Sequence, residues 1–130
     1  MTLPASAADR FARLPDLLAA DADLRRRGRF ACVDCRIDIG DEPFFLSIAD
    51  GALTAFERGP RLMRGSAFTL RASADAWTRY WAPVPDPGWH DLFALTKRGV
   101  ASMEGDFRPL LQHLQFFKDL LALPRRQAGT

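Results

Sequence analysis

The sequence predicts an α+β domain in which helices pack on one face of a mostly antiparallel sheet of about five strands. Three observations predict this class. Four segments between residues 30 and 72 alternate apolar and polar side chains, an Asp50-Gly51 pair marks a tight hairpin, and apolar residues recur at helical spacing at both ends of the chain. We expect the order helix, four strands, two short helices, strand, helix. The last strand follows a long helical excursion, so it either joins an edge of the sheet or inserts in parallel.

The first segment, residues 5–27, is predicted to be helical. Its apolar side chains lie at helical spacing: Phe11, Leu14, Leu17, Leu18 and Leu24. Gly28 is a natural stop. Since proline cannot sit in the middle of a helix, Pro15 predicts either a kink or two short helices that meet there.

Four strands are predicted at residues 30–39, 44–49, 52–58 and 67–72. In the first of these, the odd-numbered side chains from Ala31 to Ile39 are apolar and are predicted to face the core. The even-numbered side chains are predicted to be exposed: Cys32, Asp34, Arg36 and Asp38. This strand is therefore half-buried.

Helical signals resume at Ser73, which is placed to cap a helix carrying Trp77 and Trp81. A short helix is predicted at residues 89–97 and a strand at residues 100–105. Asp106 is then placed to cap a terminal helix at residues 107–123.

The terminal helix is predicted to be apolar on two faces. One face holds Phe107, Leu110, Leu111, Leu114, Phe117 and Leu121. The second stripe, beside His113, holds Phe116, Leu120 and Leu123. An ordinary surface helix buries one face, so the second stripe must meet a ligand, a partner chain or more of the protein's own core.

Size and composition narrow the function. A chain of 130 residues, 48% hydrophobic and 26% charged, fits one globular domain that needs no disulfides. The net charge of +2 is too small for a nucleic-acid-binding field, and Arg25, Arg26 and Arg27 are interpreted as a solvated helix end rather than an anion contact. No apolar run could span a membrane and the start lacks a secretory signal, so we expect a cytoplasmic protein.

No catalytic or metal site is predicted. Cys32 and Cys35 lie three residues apart on a strand, which directs them to opposite faces and favours unpaired structural thiols. His90 and His113 lie on predicted helices without a motif that would organise an enzyme around them. The pair Asp34 and Asp38 is interpreted as solvation and cross-strand pairing. No cofactor is expected.

What remains is apolar, and two interpretations stay open. Abundant phenylalanines and the cluster Trp77, Trp81 and Trp89 predict either a closed core with a dimer interface or a cavity that accepts an apolar ligand.

The order of parts from residue 30 to residue 123 resembles the sterol carrier protein type-two family, the nonspecific lipid-transfer domains. The likeness rests on three stretches: the hairpin at residues 45–53, the strand-to-helix stretch at residues 68–77, and Val100-Ala101-Ser102-Met103-Glu104-Gly105-Asp106. We expect residues 1–130 to form one such domain, with a helical segment at 1–28, the sheet and covering helices at 30–123, and a disordered tail at 124–130.

The resemblance implies a noncatalytic protein with an apolar tunnel for lipids, covered by the terminal helix. In related bacterial proteins, such a domain presents an apolar substrate, for example a prenylated quinone precursor, to enzymes. The resemblance implies the following ligand-binding residues: Trp77, Trp81, Phe93, Met103, Phe116, Phe117, Leu120 and Leu121. The alternative is a protein–protein interaction or dimerisation module with a closed core, accessory to a lipid- or quinone-metabolising enzyme, in which Phe116, Leu120 and Leu123 pack against a second copy or a partner enzyme.

Overall fold

A computed structural model describes residues 6–59, 66–82, 84–85, 87, 89, 92–97 and 99–125, with the side chains of residues 92 and 93 left out of the description. Three helices come first: α1 (Ala7–Phe11), α2 (Leu14–Ala19) and α3 (Ala22–Arg27). Four strands follow: β1 (Cys32–Ile39), β2 (Glu42–Ala49), β3 (Ala52–Arg58) and β4 (Phe68–Ala72). The remaining elements are α4 (Ala74–Tyr80), α5 (Leu92–Lys97), β5 (Ala101–Gly105), α6 (Arg108–Gln112) and α7 (Leu114–Leu121).

The strands form one mixed sheet in the order β3-β2-β1-β4-β5. Neighbouring strands are antiparallel except β1 and β4, which run parallel with Ile37 opposite Leu70. β5 lies on the edge, antiparallel to β4, with Met103 opposite Leu70. The predicted α+β class is therefore confirmed, and the final strand takes the edge position of the two that were considered.

The N-terminal segment contains three helices, not one kinked helix or two. Pro15 lies in the first turn of α2, where its missing N–H leaves no hydrogen bond unmade. Asp21 accepts a hydrogen bond from the Leu24 backbone N–H at 3.0 Å, so a new helix starts after it. Each break therefore has a local cause, and the second of them was missed from the sequence.

The predicted terminal helix is interrupted at His113, whose backbone angles (φ −123°, ψ 40°) are not helical. The prediction of one continuous helix was wrong because apolar spacing alone does not detect such a break. The helix also starts one residue later than predicted: Phe107, not Asp106, is the N-cap, although the Asp106 carboxylate accepts a hydrogen bond from the Arg108 backbone N–H at 3.0 Å. α6 and α7 therefore need not bury the same helical face.

The second apolar stripe is buried inside the protein. Phe116, Leu120 and Leu123 are all buried, together with Phe117 and Leu121 of the first stripe. By contrast, one member of the first stripe, Leu111 on α6, is 55% exposed. The second stripe therefore packs in the protein's own interior, in the same layer as Phe117 and Leu121.

Within the sheet, the predicted exposure of Asp38 is wrong. The alternation predicts an exposed carboxylate, but Asp38 is only 5% exposed. Its oxygens meet Arg36 at 2.7 Å and Arg71 at 2.9 Å, so two guanidinium groups cover it. The side chain does lie on the outer face of the sheet, and cross-strand pairing rather than the core removes it from water.

The expected tail, residues 124–130, begins with two residues held by hydrogen bonds. Arg10 donates to the carbonyl of Pro124 at 3.1 Å, and Arg125 donates to the carbonyl of Tyr80. Residues 126–130 lie outside the described part of the chain.

Candidate apolar site between the sheet and the helices

The floor of the candidate site is the inner face of the sheet. Alternation within each strand and the register between strands bring the same apolar face together. Its buried members are Val33, Cys35, Ile37, Ile39, Phe44, Leu46, Ile48, Phe68, Leu70 and Ala72. These buried side chains therefore present hydrocarbon groups and one thiol to whatever packs on the floor.

An aromatic cluster covers one end of this floor. Phe11 of α1 stacks against Trp81 with ring centroids 6.0 Å apart and meets Phe44 edge-on at 4.9 Å. Trp77 and Trp81 lie 5.4 Å apart. Offset and edge-on ring pairs of this kind are favourable beyond the area that they bury.

The N–H and O–H groups of Trp77, Tyr80 and Trp81 donate hydrogen bonds to backbone carbonyls. Trp77 Nε1 donates to the Asp38 carbonyl at 2.9 Å, and Trp81 Nε1 donates to the Leu121 carbonyl at 2.7 Å. The Tyr80 hydroxyl donates to the Lys118 carbonyl at 3.3 Å. Helix α4 is thus tied to β1 on one side and to α7 on the other.

A second aromatic group covers the middle of the floor from α7. Phe117 lies edge-on to Phe68 and to Phe116, with 5.6 Å between ring centroids in both pairs. Gly28, at the end of α3, approaches the Phe116 ring so closely that a Cβ atom there would overlap it. The glycine that was predicted as a helix stop therefore also makes room for a core side chain.

The structure brings most of the predicted ligand-binding residues into this one layer. Six of them are buried there: Trp77, Trp81, Phe116, Phe117, Leu120 and Leu121. Met103 is half-buried on β5, and the Phe93 side chain lies outside the described part. Sequence reasoning missed Phe11 and Phe44 as members, although Phe11 was among the apolar positions of the first predicted helix and Phe44 lay in the second predicted strand.

Apolar side chains become partly exposed toward the β5 edge. Those that pack against the core there without being fully buried are Val100, Met103 and Phe107. Exposed Leu111 lies on the adjacent α6. We call this margin the β5 margin; partly buried apolar side chains also lie on the opposite edge strand, at Leu53 and Phe56 of β3.

The two cysteines lie on opposite faces of β1 as predicted: Cys32 is exposed and Cys35 is buried. Burial raises the pKa of the Cys35 thiol to about 12, with the Asp34 charge as a smaller cause.

Within the described ranges, no three His, Cys, Asp or Glu side chains converge to hold a metal ion. His113 is half-buried at the α6–α7 junction, and His90 lies outside the described residues.

A groove of about 350 Å³ lies at the end of the sheet, where Ala72 of the floor and Val100 near β5 are among its lining residues. Its lining includes Asp41, Arg71, Ser73 and Ser102. Arg71, the cation among the described lining residues, is already engaged by Asp38 and Glu104. The helices of the described part have at most eight residues, too few to cross a bilayer.

No protein-family model matches the sequence, and a search of curated protein sequences finds no match. Solved structures do match. A crystal structure of sterol carrier protein 2 superposes with a TM-score of 0.68 at 14% identity, covering 93% of this chain and 95% of that one. A conserved hypothetical protein of Thermus thermophilus, described as possibly a sterol carrier protein, gives 0.60 at 14% identity over 95% and 90%. A protein described as "UbiJ-SCP2 Ubiquinone synthesis protein" gives 0.58 at 19% identity over 91% and 94%.

Proposed function

Since this chain has the fold of sterol carrier protein 2, we propose that it binds or presents a lipid or another apolar small molecule without chemically changing it. The observation that carries the proposal is the wholly apolar layer between the sheet floor and the helices, rich in aromatic rings. Ligand sites are commonly apolar and lie between packed elements. The proposed ligand-lining residues are Trp77, Trp81, Phe93, Met103, Phe116, Phe117, Leu120 and Leu121.

We further propose that the ligand enters at the β5 margin. Among the proposed lining residues whose side chains are described, Met103 is half-buried and the others are buried. It faces the layer from an edge strand, which has a neighbour on one side only. A side chain enlarged at this position therefore obstructs the entrance without disturbing the centre of the core.

The chemistry of the layer favours a hydrocarbon chain over a ligand held by hydrogen bonds. The indole N–H groups of Trp77 and Trp81 already donate to backbone carbonyls. Diverting either donor to a ligand would leave a buried carbonyl unpaired. Binding therefore rests on apolar contact area and shape.

The test compares Met103→Trp with Ser102→Trp. Both add an indole to β5, but Ser102 lies on the opposite, exposed face of the same strand and is the matched control. Delipidated protein is titrated with a fluorescent fatty acid, and native mass spectrometry measures the bound mass. We expect saturable uptake by the unmodified protein and the Ser102→Trp variant, and affinity lowered about tenfold or more by Met103→Trp.

Two results would contradict the proposal. One is that the unmodified protein takes up no probe and carries no apolar molecule after purification. The other is that both tryptophan variants bind equally, which would place uptake away from β5.

An accessory role beside an enzyme is the second candidate, and the likeness to a ubiquinone synthesis protein favours it. We propose that the bound molecule would then be handed to an enzyme of lipid or quinone metabolism. The predicted contact through Phe116, Leu120 and Leu123 does not support this role, because those side chains are buried within the chain. Copurification of a partner enzyme whose rate depends on the loaded protein is the expected outcome.

A further inference from the structure

We propose that the outer edge of β5 pairs with β5 of a second copy of this chain, so that two sheets join edge to edge in a homodimer. The inference goes beyond ligand binding and does not depend on it. The contact also differs from one through Phe116, Leu120 and Leu123, because those side chains are buried inside the chain.

The backbone of β5 directs hydrogen-bonding groups away from the sheet. Among the strands of the described part, the sheet order ends at β5, which pairs with β4 alone. The Asp106 N–H donates to the Ala67 carbonyl across this pair at 2.7 Å. Because the bonding direction alternates along a strand, the backbone groups of Ser102 and Glu104 also face β4. The backbone groups that face the outer edge are then those of Ala101, Met103 and Gly105.

The side chains of β5 are self-complementary about Met103. From either end, the strand Ala101–Gly105 runs small, polar, apolar, polar, small. Antiparallel pairing centred on Met103 places the two methionines opposite each other on the face that carries the helices, and Ser102 of each copy opposite Glu104 of the other. No like charges are then directly opposed. Since a two-fold contact requires a surface that matches itself, this symmetry favours a second copy as the partner.

The pairing also covers apolar surface that a single copy leaves in water. Leu111, on α6 after the end of β5, is 55% exposed, and Val100, before the start of β5, is half-buried. Antiparallel strands bring the end of one to the start of the other, so Leu111 of each copy lies near Val100 of the other. Removing the β5 margin of both copies from water favours association.

The opposite edge of the sheet is protected against such pairing. An extra residue of β3, Thr54, interrupts the register with β2 between Ser47 and Ile48, and a bulge of this kind twists an edge. β3 also ends at Arg58, which forms an ion pair with Glu42. By contrast, β5 keeps a regular register with β4 and carries no charge on the face that holds the helices. The β5 edge is therefore better suited to a second copy.

Sedimentation velocity of the delipidated full chain, from micromolar to millimolar concentration, measures the assembly. A reductant is present so that exposed Cys32 forms no disulfide between copies. We expect a dimer whose fraction rises with concentration. Met103→Lys opposes two like charges at the centre and should weaken the dimer about tenfold, whereas Met103→Leu keeps an apolar pair and should retain it. Leu111→Ser, at an exposed site outside the strand, should weaken it about threefold.

Ser102 tests the register at an exposed position, where substitution leaves the core untouched. Ser102→Lys places an ammonium group opposite Glu104 of the second copy and should tighten the dimer about threefold, whereas Ser102→Glu opposes two carboxylates and should loosen it about threefold. Both effects should shrink as salt rises. The same two substitutions at Thr54, which is exposed on the β3 edge, are the matched control and should leave the equilibrium unchanged.

The inference is overturned if the unmodified protein stays monomeric over this range. It is also overturned if a dimer forms but responds to the Thr54 substitutions and not to those at Ser102, or to none of the substitutions, since the contact would then lie elsewhere. Circular dichroism checks that each variant is folded, and the Ser102 pair decides the matter if Met103→Lys is not. Because every measurement is made without ligand, a failure of fatty-acid uptake would leave these outcomes unaffected.

Discussion

Cys32 and Cys35 are separated by two residues on β1 and have opposite surroundings. We predict that iodoacetamide labels Cys32 readily at pH 8 and leaves Cys35 unmodified while the protein is folded. Cys35 is buried, and burial raises the pKa of its thiol to about 12, so its thiolate is about a thousandfold scarcer than at the usual value of 9.0. Peptide mass spectrometry after timed labelling measures both sites.

The Cys32→Ser variant provides the control, since it removes the fast site and should leave only labelling that appears on unfolding with urea. Fast labelling of Cys35 in the folded variant would mean that β1 opens in solution, and it would argue against a structural thiol.

Asp38 shows what strand alternation does and does not specify. The side chain lies on the outer face, as its position in the alternation requires, yet Arg36 on its own strand and Arg71 on β4 close over it. The hydrogen bond and charge of Asp38 raise the pKa of Arg71. Alternation predicts a face, whereas exposure also depends on side chains from a strand that lies 33 residues farther along the chain.

At the scale of elements, helix α4 is held in place by hydrogen bonds that Trp77, Tyr80 and Trp81 donate to backbone carbonyls of β1 and α7. We predict that Trp81→Phe lowers the free energy of unfolding by about 1–3 kcal/mol, because the buried Leu121 carbonyl loses the donor that lies 2.7 Å away. Urea unfolding followed by circular dichroism measures the change. A phenyl ring replaces the larger indole, so contact with Phe11 is partly kept, and the small cavity left at this fully buried site adds to the loss of the hydrogen bond.

Thr78→Ala is the control on the exposed side of the same helix and should change stability by at most about 0.5 kcal/mol. Equal losses for the two variants would show that α4 is held by its own helical bonds and not by its tie to α7.

Strands were more predictable than helices in this chain. Alternation and the Asp50-Gly51 turn located the four predicted strands up to β4 to within about two residues, because each signal is local. The helices were located, but of their internal breaks only the one near Pro15 was predicted. The break at His113 lies in its backbone angles, and the apolar spacing of residues 107–123 is the same with or without it.

At the scale of the whole molecule, the parallel pairing of β1 with β4 and the fate of the second apolar stripe could not be read from local pattern. Both depend on which elements meet across long separations in sequence. The apolar layer itself was predictable, since the sequence contained more apolar faces than one helix layer ordinarily buries. Which members line a ligand remains a prediction that Met103→Trp tests.

Ligand binding should also raise the thermal stability of the whole domain. A ligand that binds only the folded state stabilises it by about 2.7 kcal/mol at a concentration one hundred times its Kd. For a domain of 130 residues, this corresponds to a rise in Tm of roughly 8–10 °C over the delipidated protein. Differential scanning calorimetry with and without a long-chain fatty acid measures the shift. Ser102→Trp should retain the shift and Met103→Trp should lose most of it, because only the second obstructs the β5 margin. If all three proteins melt at the same temperature with and without the fatty acid, the apolar layer is a closed core toward that ligand.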